Sequence, residues 1–391
     1  MARPIVTGID IGTYEIRVVI CEHDGFGSLH VIGTGTAESR GIRHGYVTHP
    51  NEVSTSIALA VARAEEKAKI KIKRAFVAIG GIGLGSVVVQ SSVIVSRADS
   101  EVTPLDLKKV HEQCEKDIPG AASLNRKILH SVPLHYKVDG KIVLGKPEGM
   151  KAHKLEVKML FITCLEHHLN DVLQAVEESG VAVEDVMASP IAASLVVLSK
   201  SQKIAGCILA NIGAETVSIA VFENNMPVSL EVFPIGSTDI TNDIALGLKV
   251  PLEEAEQIKI GSLTGNSFPR RKLEEIIEAR LSDIFELIEA HLKKIGRNGL
   301  LPAGIIITGG GSNLNAIEDM AKIALRLPSR RGAIIINPGE RSTFKDSTWA
   351  VAFGLCIFGT HADEAPAINT GMRIIRSTKN SVIEWFKQFL P

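Results

Sequence analysis

Apolar residues along this chain follow two patterns, short continuous runs and stretches with helical spacing. Continuous runs predict buried strands at Arg74–Ile79 and Ala303–Thr308, each followed directly by glycines. Helical spacing predicts helices at Asn51–Lys69, Glu166–Gly180 and Lys272–Lys294, the last of them long and amphipathic. Strands that alternate with amphipathic helices are typical of an α/β protein.

One strand–turn–strand pattern occurs twice, once in each half of the chain. Thr7–Ile20 reads TGIDIGTYEIRVVI and Leu209–Phe222 reads LANIGAETVSIAVF. In both copies an apolar strand ends in a polar residue, Asp10 or Asn211, which is followed by Ile and Gly. Glycine at such a turn lets backbone N–H groups approach a ligand closely. Two facing turns of this kind could hold the phosphates of one nucleotide from both sides, with a polar side chain near the metal or water.

Between residues 82 and 158 the pattern changes. A long β run with alternating serines (Val87–Arg97) is followed by a polar helix (Thr103–Asp117). Two further strands are predicted at His130–Val138 and Lys154–Cys164. We expect this region to be a small inserted α+β subdomain.

Composition narrows the class of protein. With 391 residues the chain exceeds one ordinary domain of about 150 residues, so two or three domains are expected. The formal net charge of −1 gives no global field for nucleic acid, and no nucleic-acid partner is expected. Five scattered cysteines favour reduced cytosolic thiols. No apolar run approaches the ~20 residues of a membrane span, and the N-terminus reads as a strand rather than a signal peptide.

A third glycine-rich segment follows the strand Ile305–Thr308. It reads Gly309-Gly310-Gly311-Ser312 and is followed by a predicted helix at Leu314–Ala324. Consecutive glycines allow the backbone to lie against a sugar or a base, and a helix N-terminus favours negative charge. The alternative for these glycines is an ordinary loop between a strand and a helix. The alternative for Asp10 is a side chain that only satisfies the backbone groups of its own turn.

These segments, in this order, resemble the two phosphate loops and the adenosine loop of the actin/Hsp70/sugar-kinase superfamily. Within it the chain is similar to the bacterial FtsA cell-division family. Gly236–Ile260 resembles the stretch that joins the second phosphate loop to the adenine site, and His130–Gly140 resembles the inserted subdomain. The resemblance implies an α/β, actin-like fold with ribonuclease H-like duplicated domains and an inserted small α+β subdomain in the first half.

The resemblance also implies subdomain boundaries. Subdomain 1A would comprise 1–81, 159–200 and about 347–360, and the inserted subdomain 1C would comprise 82–158. Subdomain 2A would comprise 201–237 and 302–346, and 2B would comprise 238–301. A flexible linker (361–380) and an amphipathic membrane-targeting helix (381–391) would follow.

The same resemblance implies a site for ATP and Mg²⁺. It places the phosphates between the two hairpins and adenosine on the glycine loop. Ribose and adenine would lie beside Glu256 and Lys259, an i,i+3 pair for which a solvated ion pair is the alternative. Asp10 would be the metal ligand, and no catalytic residue is assigned. The implied nucleotide-binding residues are Asp10, Gly12, Thr13, Asn211, Gly213, Thr216, Glu256, Lys259, Gly309, Gly310, Gly311 and Ser312.

Four positions depart from the family pattern. Asn211 stands where the family usually has Asp, and Ala214 and Glu215 replace glycines. Ser189 replaces the acid that usually precedes the proline of a later helix. Two carboxylates that would organise metal and water are therefore missing, and we expect at most a slow ATPase.

The C-terminal segment SVIEWFKQFL (Ser381–Leu390) has an apolar stripe at helical spacing. Aromatic bulk on one face, with nearby cations, favours an interfacial helix on anionic lipid. Docking of this helix onto its own domain is the alternative. The membrane-facing side chains would be Val382, Trp385, Phe386, Phe389 and Leu390.

The resemblance implies an actin-like filament scaffold of bacterial cell division, peripheral on the cytoplasmic face of the inner membrane. Its partners would be further copies of itself, other division proteins, anionic lipid and the tubulin-like protein FtsZ. The C-terminal tail of FtsZ would bind subdomain 2B. An ATP-dependent phosphotransferase or chaperone ATPase and a pilus-assembly scaffold are the alternatives. Cations that could serve the FtsZ tail are Arg270, Arg271, Lys272, Lys293, Lys294 and Arg297.

Overall fold

The computed structural model describes residues 4–23, 29–96, 99–262, 268–334 and 346–362. The strands are β1 (Ile5–Ile11), β2 (Glu15–His23), β3 (Leu29–Glu38), β4 (Ile42–Arg43), β5 (Tyr46–Val47), β6 (Arg74–Ile79), β7 (Leu84–Ile94), β8 (Arg126–Val138), β9 (Lys141–Val143), β10 (Lys154–Leu165), β11 (Ala182–Ala188), β12 (Cys207–Ile212), β13 (Val217–Glu223), β14 (Met226–Phe233), β15 (Ile305–Thr308) and β16 (Ser329–Arg331). The α-helices are α1 (Pro50–Ala68), α2 (Pro104–Lys116), α3 (Gly120–Ser123), α4 (Glu166–Glu178), α5 (Ser189–Val197), α6 (Lys200–Ala205), α7 (Ser237–Leu248), α8 (Leu252–Lys259), α9 (Arg270–Lys294), α10 (Ile317–Leu325) and α11 (Ala350–Ala362). Short 3₁₀ turns cover Gly310–Asn313 and Ser347–Trp349.

Two five-stranded sheets have the same topology. The first has the order β3-β2-β1-β6-β11 and the second β14-β13-β12-β15-β16. In each, three antiparallel strands are followed by two that run parallel to the first strand of the hairpin. The duplication predicted from the repeated hairpin therefore extends to the whole sheet.

The two hairpins also share their register. Ile11 pairs with Ile16 in the first hairpin and Ile212 with Val217 in the second, so residues 12–15 and 213–216 form equivalent turns. Because β1 and β12 are the central strands of their sheets, both turns emerge at the carboxyl edge, where ligands of α/β proteins bind.

Helix α1 covers the first sheet as its spacing predicts. Its apolar stripe is fully or almost fully buried, whereas its other faces carry charged residues. The helix packs against β3 and β2 and helps to form the first lobe, which is built on the sheet β3-β2-β1-β6-β11. The core that its stripe enters continues into the second sheet, where Leu209 and Phe222 belong to the same cluster. The buried apolar residues of the stripe are Val53, Ile57, Ala60, Val61 and Ala64.

The insertion forms a third sheet with the order β7-β10-β8-β9 and helix α2 packed on it. It has its own apolar core, which includes Val110 of α2 and Phe161 of β10. Strand β10 continues to Leu165, beyond residue 158, at which the sequence places the end of the insertion. The Ser86 hydroxyl both donates to the Leu230 carbonyl and accepts from the Leu230 N–H, at 2.8 Å each. The insertion is thus joined to the first lobe and also to the second lobe, the part of the chain built on the sheet β14-β13-β12-β15-β16.

The predicted linker and membrane helix fall almost entirely outside the described residues, which end at residue 362. A membrane-facing role therefore remains a prediction for Val382, Trp385, Phe386, Phe389 and Leu390. In the described part of the chain, no helix is both long and apolar enough to cross a membrane.

Candidate nucleotide cleft

A cleft of about 1380 Å³ lies between the two lobes. This volume exceeds that of a typical small-ligand pocket, about 300–1,000 Å³, so a nucleotide would fit. The edges of both sheets, the start of α7, helix α8, the first turns of α9 and the glycine loop after β15 surround it. The predicted residues that line it are Asp10, Gly12, Thr13, Asn211, Gly213, Thr216, Glu256, Lys259, Gly309, Gly310 and Gly311.

The two hairpin turns have matching geometry at their glycines. A Cβ on Gly12 would lie 2.7 Å from the Glu15 carbonyl oxygen, and one on Gly213 would lie 3.0 Å from that of Thr216. Both turns therefore fold back on themselves too tightly for a larger residue. The Gly213 N–H donates to the Thr216 carbonyl at 2.8 Å. The close approach of the backbone in each turn thus favours glycine, more strongly at Gly12 than at Gly213, in addition to any role toward phosphate.

Helix α7 fixes the second turn. The Ser237 N–H donates to the Gly213 carbonyl at 2.9 Å, and the Thr238 N–H donates to the Ala214 carbonyl at 2.8 Å. The first amides of a helix have no partner within the helix, and here the turn supplies it. The second turn is therefore held rigidly against the second lobe.

Asp10 lies at the cleft end of β1. Burial raises the pKa of its carboxyl to about 6, and the nearby Arg17 guanidinium lowers it. At neutral pH the group is ionised, as a divalent-cation ligand must be. No group of three or more His, Cys, Asp or Glu in the described ranges could hold a metal. The donor set fits Mg²⁺ that takes one carboxylate here and its remaining oxygens from phosphates and water.

The glycine loop after β15 lies against the end of β12. A Cβ on Gly309 would be 2.3 Å from the Asn211 Oδ1, and one on Gly311 would be 2.5 Å from the Ile212 Cγ2. A Cβ on Gly310 would meet nothing within 4 Å, so that position borders the open cleft. The Ser312 hydroxyl is buried and donates to the Gly309 carbonyl at 2.7 Å. Ser312 thus closes the 3₁₀ turn, which delays the predicted Leu314–Ala324 helix to Ile317.

Glu256 and Lys259 belong to one polar network rather than a solvated pair. The Lys259 ammonium, 7% exposed, lies 2.7 Å from the Glu256 carboxylate. It donates to the Thr241 hydroxyl at 2.8 Å and to the Ser237 carbonyl at 3.0 Å. Thr241 in turn donates to Glu256 at 2.6 Å. Lys259 therefore ties α8 to α7, and the 38%-exposed Glu256 carboxylate is the more available of the two to a ligand.

Asn211 and Ser189, which stand where the family usually has an acid, keep polar character but carry no charge. Ser189 begins α5, is buried and lines the cleft, and a Cβ on Gly80 would be 3.2 Å from its hydroxyl. Asn211 holds the position in the second hairpin that Asp10 holds in the first. The end of the first strand thus carries a carboxylate in one hairpin only.

Glu215 does not stand as an isolated charge beside the turn. Its carboxylate accepts from the Arg43 guanidinium and from the His44 N–H, at 2.6 Å each. Sequence reasoning did not identify Arg43 or His44, because 171 or more residues separate them from Glu215. The one local signal was Gly45, because glycine is typical of tight turns.

The cations suggested for a partner tail fall into two groups at opposite ends of α9. A helix of 25 residues is about 37 Å long, so the two groups cannot form one site. Arg271 pairs with Glu275, and Lys293 pairs with Glu289. The group at the start is Arg270, Arg271 and Lys272, and the group at the end is Lys293, Lys294 and Arg297.

Comparison with known proteins agrees with this architecture. The family described as "Cell division protein FtsA" matches residues 208–354, and the one described as "SHS2 domain inserted in FTSA" matches residues 85–163. The cell division protein FtsA of Neisseria meningitidis serogroup B is 30% identical over 380 residues, 91% of this chain and 89% of that protein.

Solved structures show the fold alone. A "PilM-PilN type IV pilus biogenesis complex" superposes with a TM-score of 0.66 at 17% identity, covering 91% of this chain and 99% of that one. MreB5 of Spiroplasma citri bound to ADP gives 0.52 at 12% identity, covering 92% and 97%. These neighbours are actin-like, and the predicted fold with its inserted subdomain is confirmed.

Proposed function

The chain belongs to the FtsA family of cell division proteins, and from that premise we propose that it is an actin-like filament scaffold that binds ATP with little or no hydrolysis. It would anchor FtsZ to the cytoplasmic face of the inner membrane as a peripheral protein. The observation that carries the nucleotide part is the meeting of two equivalent glycine turns and a glycine loop at one cleft.

Backbone groups would do most of the nucleotide binding. The turns at Gly12 and Gly213 face the same cleft, and Thr13 and Thr216 add hydroxyls beside them. Gly310 would lie along adenosine, since the space beside it is open. Mg²⁺ would supply charge neutralisation to the phosphates, and Asp10 is the carboxylate suited to hold it. The ADP-bound MreB5 neighbour supports nucleotide as the ligand class.

Hydrolysis requires a group that takes a proton from the attacking water. The amide of Asn211 and the hydroxyl of Ser189 cannot do this at neutral pH. A phosphotransferase or an efficient ATPase is therefore the less favoured function, and a stable nucleotide-bound subunit is the favoured one. Such a subunit suits a scaffold, because filament contacts between head and tail surfaces then persist.

Membrane attachment would come from residues 381–391. One ten-residue amphipathic helix binds lipid weakly, so several copies along a filament would act together. FtsZ would bind residues 238–301 through its C-terminal tail. Since the cations of α9 form two separate groups, one of them would carry this contact, and charge reversal of each group in turn would identify which.

Liposome co-sedimentation tests the scaffold. Full-length protein should pellet with anionic vesicles, and a chain truncated after Ser377 should not. Phe386→Glu should abolish pelleting, whereas Gln388→Glu, the same charge change on the polar face, should reduce it only modestly. If Phe386→Glu pellets like wild type, the apolar stripe does not bind lipid and the membrane part of the proposal is wrong.

Equilibrium binding of a fluorescent ATP analogue tests the nucleotide part separately. Wild type should bind it in the presence of Mg²⁺ and should release phosphate at a rate close to the uncatalysed background. Electron microscopy of the lipid-bound sample should show filaments. Rapid phosphate release, or no binding at any Mg²⁺ concentration, would contradict this part of the proposal without affecting the lipid result.

A further inference from the structure

Two lobes of the chain are joined directly across the phosphate end of the cleft. On the second lobe, Glu215 sits at the tip of the β12–β13 turn with its side chain only 11% exposed. On the first lobe, Arg43 and His44 sit at the tip of the β4–β5 hairpin. The Glu215 carboxylate accepts from the Arg43 guanidinium and the His44 N–H at 2.6 Å each, and the His44 Nδ1 lies 3.1 Å from the Glu215 carbonyl oxygen.

The first-lobe side of this contact is rigid. His44 and Gly45 both have positive φ, 48° and 81°, as the central residues of a type I′ hairpin require. A Cβ on Gly45 would lie 2.3 Å from the Gly81 Cα, so the tip packs backbone against backbone on the loop after β6. The Ile82 N–H donates to the His44 carbonyl at 3.2 Å. His44 thus binds its own lobe through its carbonyl and the other lobe through its N–H.

The second-lobe side is equally fixed. The turn is anchored to α7 through the carbonyls of Gly213 and Ala214. A Cβ on Gly236 would lie 2.2 Å from the Ala214 carbonyl oxygen, so no space remains for the turn to shift backward. Gly45, Ala214 and Glu215 all line the cleft. The contact therefore stands at the border of the space in which phosphates would lie.

We propose that Glu215, with Arg43 and His44, forms a clasp that holds the cleft closed and controls the entry and release of nucleotide. The clasp needs no ligand, because all its donors and acceptors belong to the chain. The control of nucleotide rests on the nucleotide binding proposed above; the joining of the lobes does not.

The clasp also accounts for an acidic side chain next to a phosphate site. A lone carboxylate there would repel an anionic ligand. Here a guanidinium and a backbone N–H both donate to it, which makes charge-assisted hydrogen bonds and offsets the charge locally. When the cleft opens, both donors are lost and the bare carboxylate faces the incoming phosphates. Opening and binding are therefore both slowed.

Stopped-flow kinetics with a fluorescent ATP analogue test the control of nucleotide. Loss of a hydrogen bond to a charged group should speed dissociation about tenfold in Glu215→Gly and several-fold in Arg43→Gln. Arg40→Gln is the matched control, because Arg40 precedes the same hairpin and pairs with the exposed Glu38, at 3.1 Å. Dissociation rates that are equal in wild type and Glu215→Gly would overturn the control of nucleotide.

Hydrogen exchange without nucleotide tests the joining of the lobes. The His44 amide should exchange at least several-fold faster in Glu215→Gly than in wild type. The Thr48 amide, which donates to the Gly41 carbonyl within the same segment at 2.7 Å, should not change and reports that the hairpin is still folded. Unchanged exchange at His44 would mean that the clasp does not form in solution. If wild type binds no nucleotide, the proposed function and the control of nucleotide both fail, and exchange alone decides whether the clasp forms.

Discussion

Gly309 and Asn211 approach each other so closely that a Cβ on Gly309 would stand 2.3 Å from the Asn211 Oδ1. Gly309 also has a φ of 85°, which disfavours any residue with a side chain. This contact joins the glycine loop after β15 to the second hairpin, and these are two of the three glycine segments at the cleft. These two segments therefore form one unit on the carboxyl edge of the second sheet, and the first sheet supplies the third.

Gly309→Ala should destabilise the protein by about 2 kcal/mol or more, because it adds a clash to an unfavourable φ. Gly310→Ala, one residue further on, should cost less than about 1 kcal/mol because its Cβ would meet nothing within 4 Å. Urea unfolding of both variants measures the difference. Equal losses in the two variants would contradict the tight contact between Gly309 and Asn211.

Asp10→Asn should stabilise the protein at neutral pH. Burial raises the folded-state pKa of Asp10 from 3.8 to about 6, so between these values the folded state binds more protons than the unfolded state. Wild-type stability should therefore fall as pH rises through this window, by up to about 3 kcal/mol, and stay low above it. The Asn variant lacks this loss.

The difference between wild type and Asp10→Asn, taken from urea unfolding at pH 4 and pH 7.5, isolates this group from the others that titrate. The variant should be the more stable at pH 7.5 and about equal at pH 4. A constant difference at both values would show that the carboxyl titrates normally. The same variant should weaken Mg²⁺-dependent nucleotide binding.

Lys259→Met should lower the free energy of unfolding by about 2 kcal/mol, since it leaves the partners of a buried ammonium without their donor. Lys293→Met is the control: Lys293 is 58% exposed and pairs with Glu289 on the helix surface, and its loss should cost less than about 0.5 kcal/mol. Thermal unfolding without nucleotide provides the comparison. Unchanged stability with lost ATP affinity would instead assign Lys259 to the ligand.

His130→Gln should make the protein more resistant to acid. His130 is fully buried, its Nε2 accepts from the Ala188 N–H at 3.0 Å, and burial lowers its pKa to about 3. Below pH 6.5 the unfolded state gains a proton that the folded state cannot take until about pH 3. The contribution of neutral His130 to the free energy of unfolding is therefore fully present above pH 6.5. It falls by about 1.4 kcal/mol per pH unit as the pH drops below that value.

Glutamine can accept the same hydrogen bond without gaining a proton. Urea unfolding should therefore show a smaller loss of stability between pH 6.5 and pH 4.5 in His130→Gln than in wild type. His167→Gln, at a side chain that is 91% exposed, should keep the wild-type slope. Identical slopes in all three proteins would show that His130 does not contribute to acid sensitivity.

The sequence by itself determined the elements and their duplication. Strand and helix periodicities are local, so α1 and α9 were predicted within about two residues of their observed ends. The repeated hairpins at Asp10 and Asn211, with the glycines after β15, identified the three segments that line the cleft. Glycine carries this information because its position reports where the backbone must turn or approach closely.

The tertiary structure decided which side chains meet. Lys259 proved to bind α7, Ser312 to close its own turn and Glu215 to reach the other lobe. The partners of Lys259 depend on how α8 packs on α7, and those of Glu215, 171 or more positions away, depend on how the two lobes pack. The spacing of apolar residues along the chain does not predict such contacts. A side chain's partner on the other lobe is fixed only when the two lobes pack together.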